Sequence, residues 1–183
     1  MICFLLLSCQ SKLSESSILA IQLTDLNGFT ETITNPKQLI SFEKNDFLTP
    51  QPYKKIVVTY RPSSNTSSKY SKVLSYHQNG QVKQLLNVEG FQSKGLYKEW
   101  YSNGQLRVQT QLVGGTGDLT PEAQKTWGFN DLFEAFYSNQ EKKALIPFIK
   151  GKLSGEARYF FPNGQTHKII EYSNNEINGS FTS

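Results

Sequence analysis

The chain has 183 residues, a formal net charge of +4, 37% hydrophobic residues, 2 cysteines, 2 histidines and 1 methionine. That length holds one ordinary domain, and modest apolar content enriched in Tyr and Phe suits one-sided β burial better than a thick helical core. So few cysteines and histidines offer no disulfide framework or metal-ligand set, and lysines and arginines scattered singly lack the clustered basic face of a nucleic-acid interface.

The N-terminal run Ile2-Cys3-Phe4-Leu5-Leu6-Leu7-Ser8-Cys9 is apolar, and residues 10–17 form a polar, Ser-rich tether. The run is too short to span a bilayer and reads as the tail of a signal h-region. No Lys or Arg lies between Met1 and Cys9, and an irregular apolar N-terminus or an added strand is the alternative. Residues 17–24 and 29–34 then read as paired strands around the turn Asp25-Leu26-Asn27-Gly28. Residues 35–42 read as a short helix with Asn35 at the N-cap and Pro36 at N1. A break at residues 49–52 precedes a strand over 55–60, and residues 62–69 read as a loop. This 18–70 extension is too small to bury a core alone and is expected to cover one open end of a sheet formed by residues 71–183.

From residue 71 one phrase recurs, an aromatic or apolar pair followed by Xaa-Asn-Gly. It stands at residues 76–80, 100–104 and 160–164, and in degenerate form at Phe136-Tyr137-Ser138-Asn139-Gln140. From Gly80 to Gly104, Gln140 and Gly164 the intervals are 24, 36 and 24 residues, so one period carries an insertion. A period in the twenties that survives an insertion marks a repeat architecture. Asn-Gly between alternating runs predicts hairpins with two-residue type I′ turns, built on Asn79-Gly80, Asn103-Gly104 and Asn163-Gly164. Leu106, Val108, Thr110 and Leu112 share one strand face, and Val88, Leu112, Phe148 and Tyr172 each fall eight residues after the turn position. One hairpin cannot bury its face, whereas hairpins laid side by side bury a continuous stripe. The insertion, at about residues 115–130, reads as a glycine-rich loop and a short helix with Thr120 at the N-cap and Pro121 at N1. It either forms a binding face or packs Trp127 and Phe129 over the sheet.

Gly-x4-aromatic-aromatic-x-Asn-Gly, seen at residues 95–104 and again in spacing at 155–164, resembles the MORN repeat. The likeness is to the bacterial variant carried by proteins labelled as YwqK-type antitoxins. The third unit departs from it, with Asp131 and Gln140 where glycines belong. The resemblance implies an all-β fold, a single-layer sheet of tandem antiparallel hairpins over residues 71–183, and a non-enzymatic binding protein. Leu6-Leu7-Ser8-Cys9 is similar to a bacterial lipobox, which implies lipidation of Cys9 and a cell-envelope location. By the same analogy Gln10 favours the outer membrane.

These likenesses imply two roles. One is a membrane-anchored platform for a protein partner, with Tyr76, Trp100, Tyr101, Trp127, Tyr137, Phe160 and Phe161 as candidate contact residues. The other is an antitoxin-like protein that binds a toxin in the cytoplasm. Neither His77 nor His167 has a partner at ligand spacing, Gly114-Gly115-Thr116-Gly117 lacks the Lys-Ser/Thr of a phosphate loop, and the acidic residues are dispersed. No catalytic residue, metal, cofactor, nucleic acid or small-molecule substrate is therefore expected.

Overall fold

A computed structural model describes residues 16–62 and 68–179. The apolar N-terminal run with Cys9, the middle of the 62–69 loop and residues 180–183 lie outside the described residues.

The first segment folds as β1 (Ile18–Thr24), β2 (Thr30–Ile33), α1 (Pro36–Phe42) and β3 (Lys55–Tyr60). The repeats supply β4 (Tyr70–Tyr76), β5 (Val82–Glu89), β6 (Gln92–Trp100) and β7 (Leu106–Gly114). After α2 (Pro121–Gln124) come β8 (Gly128–Phe136), β9 (Lys142–Ile149), β10 (Lys152–Leu153), β11 (Gly155–Phe160), β12 (Thr166–Ser173) and β13 (Glu176–Ile177). All belong to one 13-stranded antiparallel sheet in which chain neighbours pair from β3 to β9 and from β11 to β13. The exceptions are β1, which pairs with both β2 and β3, and β11, which joins β9 directly while β10 folds back on β9.

The N-terminal extension therefore continues the sheet rather than closing its end: β3 pairs with β4 along six residues, and the short strand β2 becomes the new edge. Local chemistry sets its helix. Asn35 Oδ1 accepts the Lys37 amide at 3.0 Å and Pro36 occupies the first turn, which satisfies one donor and fixes φ where no partner exists. Thr120 caps α2 in the same manner, accepting from the Ala123 amide.

The repeat turns are not type I′. Only the glycine is left-handed, at φ 82 for Gly80, 82 for Gly104 and 80 for Gly164, while the preceding Asn keeps negative φ. Each amide at the glycine position donates to the carbonyl three residues back, and the residue there pairs with the one after the glycine (His77 amide to Gln81 carbonyl, 2.8 Å). This is a three-residue loop, a type I turn closed by a left-handed residue. Asn serves by its side chain: Oδ1 of Asn79, Asn103, Asn139 and Asn163 accepts the amide two residues on, at 3.1–3.2 Å. Gln140 adopts φ 70 and makes the same backbone bonds, so the degenerate unit keeps the turn of the others. True pairs of left-handed residues occur at the opposite ends of the strands, at Lys150-Gly151 and Asn174-Asn175.

Each junction between units carries two more residues on the incoming strand than on the outgoing one, as between Leu86↔Tyr97 and Val88↔Ser93. Gly95, Asp131 and Gly155 occupy these junctions at φ 96, 60 and 106, which explains the glycine that opens a unit.

Two clusters form the core. One buries Ile21, Leu39, Ile56, Val58 and Leu74 between the sheet and α1 with its following loop. The other lies on the opposite face, where Val73, Leu86, Val88, Tyr97 and Leu112 are covered by Trp127 and Leu119 of the insertion.

Candidate functional site

The turn ends of the strands are stitched together by the residue just before each loop. His77 Nε2 donates to the Trp100 carbonyl at 3.0 Å, Tyr101 Oη to the Phe136 carbonyl at 2.8 Å, and Tyr137 Oη to the Phe160 carbonyl at 2.8 Å. Asn79 and Asn139 add bonds from Nδ2 to the carbonyls of Ser102 and Pro162 in the next loops. The aromatic pair is thus partly an inter-repeat clasp. Phe161 has no hydroxyl and packs on His167, with ring centroids 4.3 Å apart.

Just beyond each turn the outgoing strand carries one extra residue. The register steps from Ser75↔Gln84 to Tyr76↔Val82, and likewise around Arg107, Lys143 and His167. The extra residues are Lys83, Arg107, Lys143 and His167, each three positions after the turn glycine or its substitute. Three lie against their own turn ring: Arg107 over Tyr101 at 5.7 Å, Lys143 over Tyr137 at 5.5 Å, and His167 beside Phe161. A bulge re-aims a side chain and strengthens local twist, and here it does so at the same place in every unit.

A row of residues runs across the strands beside this column. In the first half it is polar and internally satisfied. Ser75 Oγ donates to Gln84 Oε1, Gln84 Nε2 to Tyr97 Oη, and Tyr97 Oη to Glu99. Lys55 reaches Asp118 of the insertion at 3.2 Å. In the second half the row becomes Val108, Ala135, Ala144 and Tyr159, opposed in turn across the sheet. These four line a groove of about 390 Å³ whose rim is Arg107, Lys143, His167, Tyr101, Tyr137 and Phe160. Arg107 is held by Glu99 at 2.8 Å. Among the described residues neither Lys143 nor His167 has a carboxylate at ion-pair distance.

The sequence-expected contact residues divide on this geometry. Tyr101, Tyr137 and Phe160 line the groove, and Phe161 stands exposed beside His167. Trp100 is half-buried against the first core cluster. Tyr76 and Trp127 are core residues, not surface: Tyr76 is 6% exposed with its hydroxyl on the Phe47 carbonyl. Trp127 is 8% exposed, edge-on to Tyr97 at 4.8 Å, with Nε1 on the Thr116 carbonyl. Burial holds the phenols of Tyr76 and Tyr97 well above the ordinary tyrosine range. The insertion therefore acts as a cover for the first half of the sheet. The basic residues of the rim escaped the sequence reading, although position three after the turn glycine is Lys, Arg, Lys and His in successive units.

Among the described residues no three potential metal ligands come together. The model of the MORN repeat variant family matches residues 94–112 and 153–174, the second and fourth hairpin units. No curated protein and no solved structure shows significant similarity to the chain. The matches begin one residue before Gly95 and two before Gly155, and they pass over the unit in which Asp131 and Gln140 replace glycines. The units share one turn, one bulge and one junction, and the match of two of them to that model supports MORN-type repeats in this chain.

Proposed function

We propose that the chain is a non-enzymatic binding platform, held at a bacterial envelope membrane by lipid on Cys9, and that the groove from Tyr101 to His167 is its docking surface. The observation that carries this reading is the change along the sheet. The first half is closed on both faces by α1 and the insertion, while the second half keeps an apolar floor with a basic, aromatic rim open to solvent. Apolar floor with polar rim is the anatomy of a protein interface.

A photoreactive residue at Phe161, exposed against the rim residue His167, tests the docking surface in the native cells. The reading expects one discrete protein adduct from that position and none from the same residue at Phe29, at the other end of the sheet. Equal labelling from both sites contradicts it. For the anchor, wild type is expected to incorporate labelled palmitate and Cys9→Ala to lose it. An unlabelled wild type removes the membrane from the proposal and leaves a cytoplasmic binder.

A further inference from the structure

The spacing of the basic side chains on the rim specifies the partner more closely than the groove alone. Arg107, Lys143 and His167 sit on β7, β9 and β12, each two strand positions from the last. Strands lie about 4.8 Å apart, so these basic side chains recur at roughly 9.6 Å along a line across the strands. A polyproline II segment completes a turn in three residues and rises about 3.1 Å per residue, returning a side chain to the same side every ~9.3 Å. An α-helix returns after seven residues at about 10.5 Å, and the mismatch accumulates with each basic side chain. An extended β segment points its third residue to the opposite side.

The lining agrees with the same geometry. Polyproline II ligands dock in aromatic-lined grooves, and here Tyr101, Tyr137, Tyr159 and Phe160 surround the small floor residues Ala135 and Ala144. The small floor lets a backbone approach, and the rings stand between the basic side chains. Charge complementarity selects carboxylates: Lys143 faces the groove with no carboxylate at ion-pair distance among the described residues, and His167 adds a ring that can donate a hydrogen bond. Arg107, already on Glu99, keeps further donors for a second carboxylate.

We infer that the groove takes a protein segment in polyproline II conformation with an acidic residue at every third position. This rests on the docking-surface reading above and adds the partner's chemistry to it. The segment lies across β7–β12, its acidic side chains on the basic column and its other residues against the aromatic rim.

The test uses the full chain and three synthetic peptides measured by fluorescence anisotropy at low salt. One repeats Glu-Pro-Pro, one has the same composition with the glutamates contiguous, and one is helical with Glu at every seventh position. The Glu-Pro-Pro repeat is expected to bind most tightly. Lys143→Glu, a surface change checked for retained circular dichroism, is expected to weaken it about tenfold, a reversed rather than deleted charge pair. His167→Glu is expected to act in the same direction. Equal binding of the contiguous peptide, preference for the helical one, or indifference to both substitutions overturns the inference. If no peptide binds while the Phe161 photo-adduct persists, the partner chemistry is wrong and the platform stands; loss of the adduct as well takes the platform with it.

Discussion

The two halves of the sheet are built from the same hairpin, yet they bury their side chains very differently. Up to Trp127 the buried hydrophobic residues are many and include Ile21, Leu39, Ile56, Leu74, Leu86 and Leu112 at 1% exposure or less. Beyond it, among the described residues, only Ala144, Ala157 and Ile170 are buried hydrophobics. The difference comes from what lies on the faces, not from the repeat. α1 with its loop covers one side of the first half and the insertion covers the other, so β3 to β6 pack above and below. The second half relies on backbone pairing, on turn-to-turn clasps and on nearest-neighbour contact, as in other repeat arrays. A repeat therefore fixes the pairing pattern and leaves stability to whatever is laid across it.

The largest effect that separates the halves is a core truncation made twice at one repeat position. Leu86 and Ile146 both stand six residues after the turn glycine or its substitute, but Leu86 is fully buried and Ile146 half-buried. Leu86→Ala is expected to cost about 2–5 kcal/mol in urea denaturation, and Ile146→Ala about half of that or less, because an open site can relax and admit water. Equal losses would mean that the second half is as closed as the first.

Alkaline titration sharpens the same contrast. The phenols of Tyr76 and Tyr97 are raised chiefly by burial, with Asp46 adding to the first and Glu99 to the second. The folded state prefers the neutral form, so their contribution is intact below the unfolded value of about 10 and is lost as pH rises beyond it. Unfolding on the alkaline side should begin in the first half, and Tyr97→Phe should shift its midpoint to higher pH. An unchanged midpoint in that variant would contradict the burial account.

Two smaller effects lie in the second half. Gln140 holds a left-handed conformation that costs a non-glycine residue about 1 kcal/mol, so Gln140→Gly should stabilise by about that amount in the same denaturation assay. A loss instead would show that the Gln140 side chain contributes more than its backbone strain costs. Tyr137→Phe removes the clasp to the Phe160 carbonyl and should cost about 0.5–1.5 kcal/mol. No measurable loss would make the clasp an ornament of packing.

How far the sequence carried the structure can be judged on the same residues. The hairpins, both helix caps, the insertion and the place of the third unit in the array were legible, because period and turn chemistry are local, but that Asp131 and Gln140 take the glycines' left-handed conformation was not. Nor was the turn type: Asn-Gly suits a type I′ loop, but the chain forms a three-residue loop with only the glycine left-handed, followed by a bulge at the residue three positions on. The contact residues were half legible. Aromatic identity marks Tyr76 and Trp127 as readily as Tyr137 and Phe160, and only the long-range placement of the 43–53 loop and the insertion decides which pair is covered. The basic rim residues were visible as a repeat position but carried no meaning until the bulge aimed them into a groove.

Native-state hydrogen exchange tests the division most directly, because it reads opening strand by strand. The account predicts that amides of β3 to β7 exchange only through global unfolding, while those of β9 to β12 open together at distinctly lower free energy. Uniform protection from β3 to β12 would contradict it, and the open half could no longer be set apart as the surface left free for a partner.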